Sequence, residues 1–258
     1  MRGILFALAA LAAAVVSQPA LAADIGVVFL HGKWGTTSAP AVKILIDAVT
    51  SAGFLVETPE MPWSRNRAYD KDVDGSLAEI DEAVARLKSR GAQRIVVGGQ
   101  SLGANVALIY GSRRDGLAGI VTTAPGHTPD LSQVKDKIAP HVARAKNLVA
   151  EGKGARKERF DDINQGKVQQ VTASAEIYAS WMDPDGAAVI PKSAAALRPN
   201  TPLLWVVGDD DAMARRGEAY AFAKAPAHPK SAYKVVGGGH FDTPKGAATI
   251  VVDWLKGL

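Results

Sequence analysis

Residues 94–105 read RIVVGGQSLGAN, a run of β-branched residues followed by a G-x-S-x-G pentapeptide that opens an apolar segment. The pentapeptide consists of Gly99, Gln100, Ser101, Leu102 and Gly103. Glycines on both sides of a serine let a strand and the following helix approach closely, and the sharp turn between them raises the hydroxyl above the sheet. The helix N-terminus beside it favours developing negative charge. This stretch therefore predicts a strand, a tight turn and a helix with a nucleophile at Ser101.

Two later strand-like segments are followed by residue types that an activated serine requires. Residues 203–208 precede three consecutive carboxylates, and residues 235–239 precede His240. A serine hydroxyl is a weak nucleophile near neutral pH, so an imidazole must accept its proton during attack. A carboxylate orients that imidazole and stabilises its protonated form. The chain order of these groups is Ser, Asp, His.

Strands with these residues at their ends, in this chain order, resemble the α/β-hydrolase superfamily. The resemblance covers nearly the whole chain after residue 22 and implies an α/β-hydrolase fold. It also implies that Ser101 is the nucleophile, that His240 is the general base and that an aspartate of the 209–211 run is the orienting acid. The usual pattern of the family is a strand followed by Gly-x-x-Asp, which residues 208–211 match. Asp211 is therefore preferred, with Asp209 and Asp210 as alternatives.

The same resemblance predicts the groups that stabilise a tetrahedral oxyanion. One is the backbone N–H of the residue after the nucleophile, which is Leu102 here. The other comes from the loop after the first strand, which reads His-Gly-Lys-Trp-Gly over residues 31–35. Lys33 is the preferred second donor and Trp34 is the alternative.

Loops that leave the C-terminal ends of parallel strands converge on one site, so their side chains are candidates for substrate contact. The loop over residues 59–69 is both aromatic and basic, and Arg67 and Tyr69 are alternatives within it. The indole of the first loop and the histidine after strand 120–124 also belong to this edge. The residues predicted to contact substrate are Trp34, Trp63, Arg65 and His127.

The coarse order of elements predicts one α/β domain over residues 23–258 with a reduced, mostly parallel six-stranded sheet flanked by helices. A capping box at Ser76–Glu79 and a stop at Gly91 mark one helix, and Thr243-Pro244 marks the last one. The predicted strands cover residues 25–30, 54–58, 94–99, 119–124, 202–208 and 232–237.

The long interval over about residues 128–200 separates the strand after the pentapeptide from the strand that precedes the carboxylates. Intervals of that length hold structure of their own, and in similar proteins a lid is inserted here. The pattern predicts a helical cap insertion with helices over Val134–Ala150 and Val171–Trp181.

The first 22 residues predict a cleavable signal peptide. They contain Arg2, an apolar run over residues 4–16 and the small-residue triplet Ala20-Leu21-Ala22, with cleavage expected after Ala22. The apolar run is short for a membrane span of roughly 20 residues, so no stable membrane anchor is expected. A periplasmic or secreted protein is therefore predicted.

Composition narrows the chemistry further. The 258 residues include no cysteine, which excludes disulfides and cysteine catalysis, and the formal net charge of +4 does not indicate nucleic-acid binding. Neither a His-Glu-x-x-His motif nor a Cys/His cluster occurs, so no metal and no cofactor are expected. The expected partner is a small-molecule substrate, and the oligomeric state is left open.

Taken together, these features predict an exported serine hydrolase that cleaves an ester, thioester or lactone through an acyl-enzyme on Ser101. The alternative is a non-catalytic periplasmic binding or assembly protein on the same fold, because a fold does not by itself imply turnover.

Overall fold

The computed structural model describes residues 24–36 and 38–258. Within them, one sheet contains six strands and a separate antiparallel hairpin contains two. The sheet order is β2-β1-β3-β4-β7-β8, and every neighbouring pair is parallel. The strands are β1 (Ile25–Leu30), β2 (Leu55–Glu57), β3 (Arg94–Ser101), β4 (Gly119–Pro125), β5 (Lys157–Asn164), β6 (Lys167–Ser174), β7 (Leu203–Gly208) and β8 (Ala232–Val236).

Helices cover both faces of the sheet. Adjacent residues of a strand point to opposite faces, so the fully buried strand β1 supplies side chains to two separate cores. Val27 and Phe29 belong to the core beneath the first and last helices, whereas Val28 and Leu30 belong to the core on the opposite face. The helices are α1 (Pro40–Ser51), α2 (Val73–Ser89), α3 (Leu102–Arg113), α4 (Ser132–Ala150), α5 (Ala175–Met182), α6 (Ile190–Ala195) and α7 (Thr243–Lys256).

The predicted six-stranded sheet is confirmed, and each predicted strand agrees with the observed one to within two residues at its ends. The predicted start of α2 is wrong. The side chain of Asp72 caps this helix by accepting the N–H of Gly75 over 2.7 Å, four residues before the predicted cap at Ser76. Ser76 lies inside the helix, where its hydroxyl donates to the Asp72 carbonyl. Gly91, with a φ of 103°, follows the helix as predicted.

The insertion between β4 and β7 is only partly helical. The first predicted helix is confirmed within α4, but residues 171–174 belong to β6 and the helix α5 begins at Ala175. The polar stretch before them forms β5, in which Phe160 and Asp162 are buried on the face that also buries Val171 and Ala173. This alternation of buried and exposed residues has the period of two that is typical of a strand. It was missed in the sequence because most of the alternating residues are long polar side chains.

A two-residue turn closes this hairpin. Gln165 and Gly166 have φ values of 49° and 77°, which is the left-handed pair that a tight hairpin turn requires. The turn therefore fixes the register of β5 against β6 and sets the hairpin tip above the carboxyl ends of the main sheet.

The predicted signal peptide, residues 1–22, lies outside the described residues. Among the helices that the structure does describe, none has the length and apolar character needed to cross a bilayer.

Candidate active site

The serine of the pentapeptide sits at the junction of β3 and α3 in a strained conformation. Ser101 has φ 57° and ψ −119°, a region that residues with side chains rarely adopt. A Cβ on Gly99 would lie 2.4 Å from the Gly103 carbonyl carbon, and one on Gly103 would lie 2.3 Å from the Leu30 carbonyl oxygen. Both positions therefore need glycine, because helix α3 passes directly against the strand ends.

Three side chains from different strand ends form a hydrogen-bonded line. Ser101 Oγ lies 2.9 Å from Nε2 of His240, and Nδ1 of His240 lies 2.7 Å from Oδ2 of Asp211. The serine follows β3, the aspartate follows β7 and the histidine follows β8, and these ends share one edge of the sheet because the strands are parallel. A neutral imidazole in this line donates to the carboxylate and accepts from the hydroxyl.

The three consecutive aspartates have different surroundings. Asp209 and Asp210 are exposed, and Asp209 accepts the N–H of Gly238. Asp211 is 5% exposed, and its Oδ1 accepts the N–H of Met213 over 2.8 Å. Burial raises the pKa of Asp211, but the hydrogen bonds from His240 and Met213 outweigh burial and hold the pKa below its ordinary value. Only Asp211 therefore presents a buried carboxylate to His240.

Two backbone N–H groups near Ser101 lack an acceptor. Leu102 is the first residue of α3, where the N–H has no partner within the helix. Within the described residues, the N–H of Lys33 has no acceptor either. The N–H of Trp34 donates to the carbonyl of Trp63 over 2.9 Å, so Trp34 is not free to act as the second donor. The N–H groups of Leu102 and Lys33 are therefore the ones not already used by another backbone acceptor among the described residues.

A cavity of about 410 Å³ opens onto Ser101 and His240. Helix α4 and the tip of the β5–β6 hairpin, both parts of the insertion, form one wall of the cavity. The loops after β4 and β7 form the opposite wall. Gly126 lies against the serine, since a Cβ there would be 2.9 Å from Ser101 Oγ. His127, which follows β4, is part of this lining.

His127 is held as a neutral ring. Its Nε2 lies 2.8 Å from the carbonyl of Trp181, to which it donates. Burial, together with the positive charge of Lys33, lowers the pKa of His127 from 6.5 to about 3. At neutral pH this ring therefore presents a hydrogen-bonding edge without charge to the cavity.

A family model described as the alpha/beta hydrolase family matches residues 27–249. The chain belongs to this family. The strained serine turn and the Ser, Asp, His chain order agree with that membership. A search of curated proteins finds no significant match.

Solved structures of other hydrolases share the fold at low sequence identity. A metagenome-derived lipolytic enzyme is 14% identical with a TM-score of 0.61, the match covering 91% of this chain and 92% of that one. A putative hydrolase from Agrobacterium vitis is 19% identical with a TM-score of 0.60, covering 93% and 90%. A siderophore hydrolase from Aspergillus fumigatus is 13% identical with a TM-score of 0.61, covering 93% and 91%. At these identities the likeness shows the fold.

Three residues predicted to contact substrate lie elsewhere in the hydrolase. Trp63 is fully buried, and its indole N–H donates to the His31 carbonyl over 2.8 Å. Arg65 is exposed and Trp34 is partly buried, and neither of them lines the cavity. The loop after β2, which carries Trp63 and Arg65, folds against the insertion, and Trp63 packs on Trp181 rather than facing the cavity.

The alternatives in that loop are also occupied. Arg67 forms a two-pronged ion pair with Glu79 of α2, with both N···O distances at 2.7 Å. The Tyr69 hydroxyl donates to Asp162 over 3.2 Å. Both side chains therefore hold the loop to its neighbours.

The other histidines have structural partners. His31 accepts the N–H of Met61 at Nε2 and donates from Nδ1 to the Gly32 carbonyl, so it ties the first loop to the loop after β2. His141 lies 3.2 Å from Asp161 within the insertion, and His228 accepts the N–H of Lys230 in a surface turn.

A buried ion pair next to the cavity was not predicted from the sequence. Lys33 Nζ lies 2.6 Å from Oδ1 of Asp162 and 2.9 Å from the carbonyl of Ile163. It joins the loop after β1 to strand β5 of the insertion. Asp162 lies on the same strand face as the buried Phe160, which only the structure shows.

No cluster of three or more His, Cys, Asp or Glu side chains that could hold a metal ion occurs in residues 24–36 and 38–258.

Proposed function

We propose that this hydrolase is a serine hydrolase that cleaves an ester-type bond in a small molecule, with Ser101, His240 and Asp211 as its catalytic residues. The observation that carries the proposal is the line of hydrogen bonds from Ser101 Oγ through His240 to Asp211, at 2.9 Å and 2.7 Å. A serine is activated when a base lies within hydrogen-bond distance of its hydroxyl and a third group orients that base.

In the first half of the reaction, Ser101 Oγ attacks the carbonyl carbon of the substrate while its proton passes to His240 Nε2. The carbonyl oxygen becomes an oxyanion that accepts the N–H groups of Leu102 and Lys33. The bond to the leaving alcohol or thiol then breaks, and the His240 proton goes to the leaving group. The product of this half is an acyl-enzyme on Ser101.

In the second half, water attacks the acyl carbonyl carbon and gives its proton to His240 Nε2. A second oxyanion forms at the same donors. It collapses with return of the proton to Ser101 Oγ, which releases a carboxylic acid and the free enzyme. Asp211 remains ionised throughout and stabilises the protonated imidazole.

Ester-type substrates are proposed on two grounds. Esters, thioesters and lactones have a carbonyl carbon open to serine attack and a leaving group that needs one proton. Structures that share the fold include a carboxyl esterase from Bacillus coagulans, 13% identical with a TM-score of 0.61, besides the lipolytic enzyme and the siderophore hydrolase. The cavity volume of about 410 Å³ suits a small acyl group.

The test is intact-mass analysis of the purified protein with and without a fluorophosphonate probe, since only an activated serine is phosphonylated rapidly. One adduct is expected, located at Ser101 and absent from Ser101→Ala and His240→Ala. Ser89→Ala, which removes a surface hydroxyl bonded only to the Arg86 carbonyl, is the matched control and should keep the adduct. A panel of chromogenic esters and thioesters then follows.

The absence of an adduct on folded protein, with no turnover of the panel, would refute the proposal. It would favour the alternative of a non-catalytic binding or assembly protein, which ligand and partner binding would then test.

We also propose that the protein is exported, on the strength of the charged start, apolar run and small-residue triplet of residues 1–22. Expression of the full chain in a Gram-negative host, followed by cell fractionation and N-terminal mass analysis, should give a periplasmic or secreted protein that begins at Ala23. An uncleaved chain in the cytoplasm would contradict this.

A further inference from the structure

The cavity above Ser101 has an excess of positive charge. Its ionisable lining includes three cationic side chains, those of Lys33, Lys137 and Arg216, and one carboxylate, that of Asp211. Asp211 is paired with His240, and Lys33 is paired with Asp162. Two cations therefore remain at the cavity without a matching anion in its lining.

These two cations come from opposite walls. Lys137 belongs to α4 of the insertion, and Arg216 ends the short turn of helix after β7 that follows Asp211. Both side chains are exposed. Among the described residues, no carboxylate oxygen lies within 4.0 Å of either charged group, and neither donates a hydrogen bond to another protein group.

The guanidinium of Arg216 lies beside an aromatic ring, and the neighbouring carboxylate of Asp130 acts on it at longer range than an ion pair. Its Cζ lies 5.6 Å from the centre of the Tyr220 ring. The carboxylate nearby, Asp130, accepts the Tyr220 hydroxyl over 3.4 Å and is not part of the cavity lining. An aromatic face restrains a guanidinium by cation–π attraction while leaving its N–H groups free to donate.

The rest of the lining suits an anion as well. Gln133, Asn164 and Gln165 supply amide groups from α4 and the hairpin tip, and His127 is kept neutral. A concave wall with one sign of charge concentrates the field and raises the local concentration of oppositely charged substrate. A planar guanidinium donates two parallel hydrogen bonds to a carboxylate or phosphate, and an ammonium adds a point charge.

We propose that the hydrolase takes esters that carry an anionic group, a carboxylate or a phosphate, which Arg216 and Lys137 bind while the ester carbonyl lies at Ser101. This inference rests on the proposed serine hydrolase function and adds the substrate class. The anion stays intact during turnover, and the bond that breaks is the ester bond at Ser101.

The test compares three chromogenic esters of matched length. Mono-4-nitrophenyl adipate carries a terminal carboxylate, its methyl ester has the same chain without charge, and 4-nitrophenyl hexanoate lacks the terminal group. We expect kcat/KM for the adipate to exceed that of both neutral esters by at least tenfold. Raising the salt concentration should lower the adipate value and leave the neutral values nearly constant, because salt screens charge at an open cavity.

Variants locate the effect. Arg216→Gln and Lys137→Gln should each reduce the ratio of adipate to methyl adipate kcat/KM, by about tenfold and about threefold. Arg215→Gln and Lys135→Gln are the matched controls, because they remove a positive charge from the same two elements at positions outside the cavity lining. The controls should keep the ratio of the unaltered protein. A phosphate-terminated ester of the same length distinguishes a preference for phosphate from one for carboxylate.

The outcomes separate this inference from the proposed function. Turnover of all three esters with a ratio near one, or a ratio that the Arg216 and Lys137 variants leave unchanged, would overturn the anionic substrate class while the serine hydrolase remains. No turnover of any ester together with no fluorophosphonate adduct would overturn the proposed function, and the substrate class would fall with it.

Discussion

Replacing Lys33 by methionine tests whether the insertion is fixed to the loop after β1, which carries the proposed second oxyanion donor. Lys33 and Asp162 have side chains that are 3% and 2% exposed, and their charged atoms lie 2.6 Å apart. Methionine has a similar length and no charge, and it keeps the backbone N–H at position 33. The substitution therefore leaves the Asp162 carboxylate buried with two donors, the Ile163 N–H and the Tyr69 hydroxyl.

The expected cost follows from that burial. Removing one partner of a buried ion pair costs about 3–5 kcal/mol, because the remaining charge has lost its compensation. Domains are stable by only about 5–15 kcal/mol, so the loss would be a large part of the total. The exposed pair of Lys43 and Asp47 has the same 2.6 Å separation with side chains 62% and 58% exposed, and Lys43→Met should cost at most about 1 kcal/mol.

The assay is denaturant unfolding followed by tryptophan fluorescence, with kcat measured on folded protein. Asp162→Asn combined with Lys33→Met should cost about 2 kcal/mol less than the sum of the two single variants, because the double variant leaves no unpaired charge. We also expect kcat of Lys33→Met to fall at least about tenfold, since a small displacement of the loop moves the proposed oxyanion donor.

Two results would refute this reasoning. A loss of stability for Lys33→Met no larger than that for Lys43→Met would mean that the buried pair does not hold the insertion. Strict additivity of the Lys33 and Asp162 variants would mean that the two charges are not coupled.

Further predictions concern the triad, the serine turn and pH. Asp211→Asn should lower kcat by about 10⁴ without unfolding the protein, whereas Asp209→Asn should leave kcat within a few-fold; equal losses would contradict the assignment of the acid. Gly103→Ala should either prevent folding or lower the free energy of unfolding by more than about 3 kcal/mol, because the added Cβ would lie 2.3 Å from the Leu30 carbonyl oxygen. An unfolding curve close to that of the unaltered protein would show that the backbone moves to accommodate the Cβ. The pKa of His127 is lowered from 6.5 to about 3 in the folded protein. As the pH falls, the unfolded chain therefore binds a proton at this residue before the folded protein does. The free energy of unfolding should therefore fall as pH drops from 6.5 toward 3. Because part of the ring is exposed, His127 should contribute less than about 1.4 kcal/mol per pH unit to this fall. His127→Gln should flatten the plot of unfolding free energy against pH, and an unchanged slope would refute this role.

The main sheet was predictable because its signals are local. Buried parallel strands are continuous apolar runs, and glycines and prolines mark where they end. The G-x-S-x-G turn is equally local, since the close approach of α3 excludes any side chain at Gly99 and Gly103. The convergence of Ser101, Asp211 and His240 also followed from the sequence, because residues at the ends of parallel strands share one edge of the sheet.

The boundary of α2 shows the limit of local patterns. Ser76 and Glu79 match a capping box, but Asp72 provides a cap four residues earlier and Ser76 is buried in the helix. Two competing caps within one turn differ by about 1 kcal/mol or less, so packing of the first turn decides between them. The hairpin of the insertion was missed for a related reason, since its outer face is mostly polar and only its turn at Gln165-Gly166 is distinctive.

The sequence by itself determined the strand order along the chain, the strained serine turn and the three side chains whose strand ends meet, because these depend on residues a few positions apart and on one topological rule. Only the tertiary structure decided the walls of the cavity. Trp63 turned inward onto Trp181, and Lys33 paired with Asp162, a residue 129 positions away. Contacts of that separation depend on how the insertion packs against the loops, and no periodicity or motif in the chain encodes that packing locally.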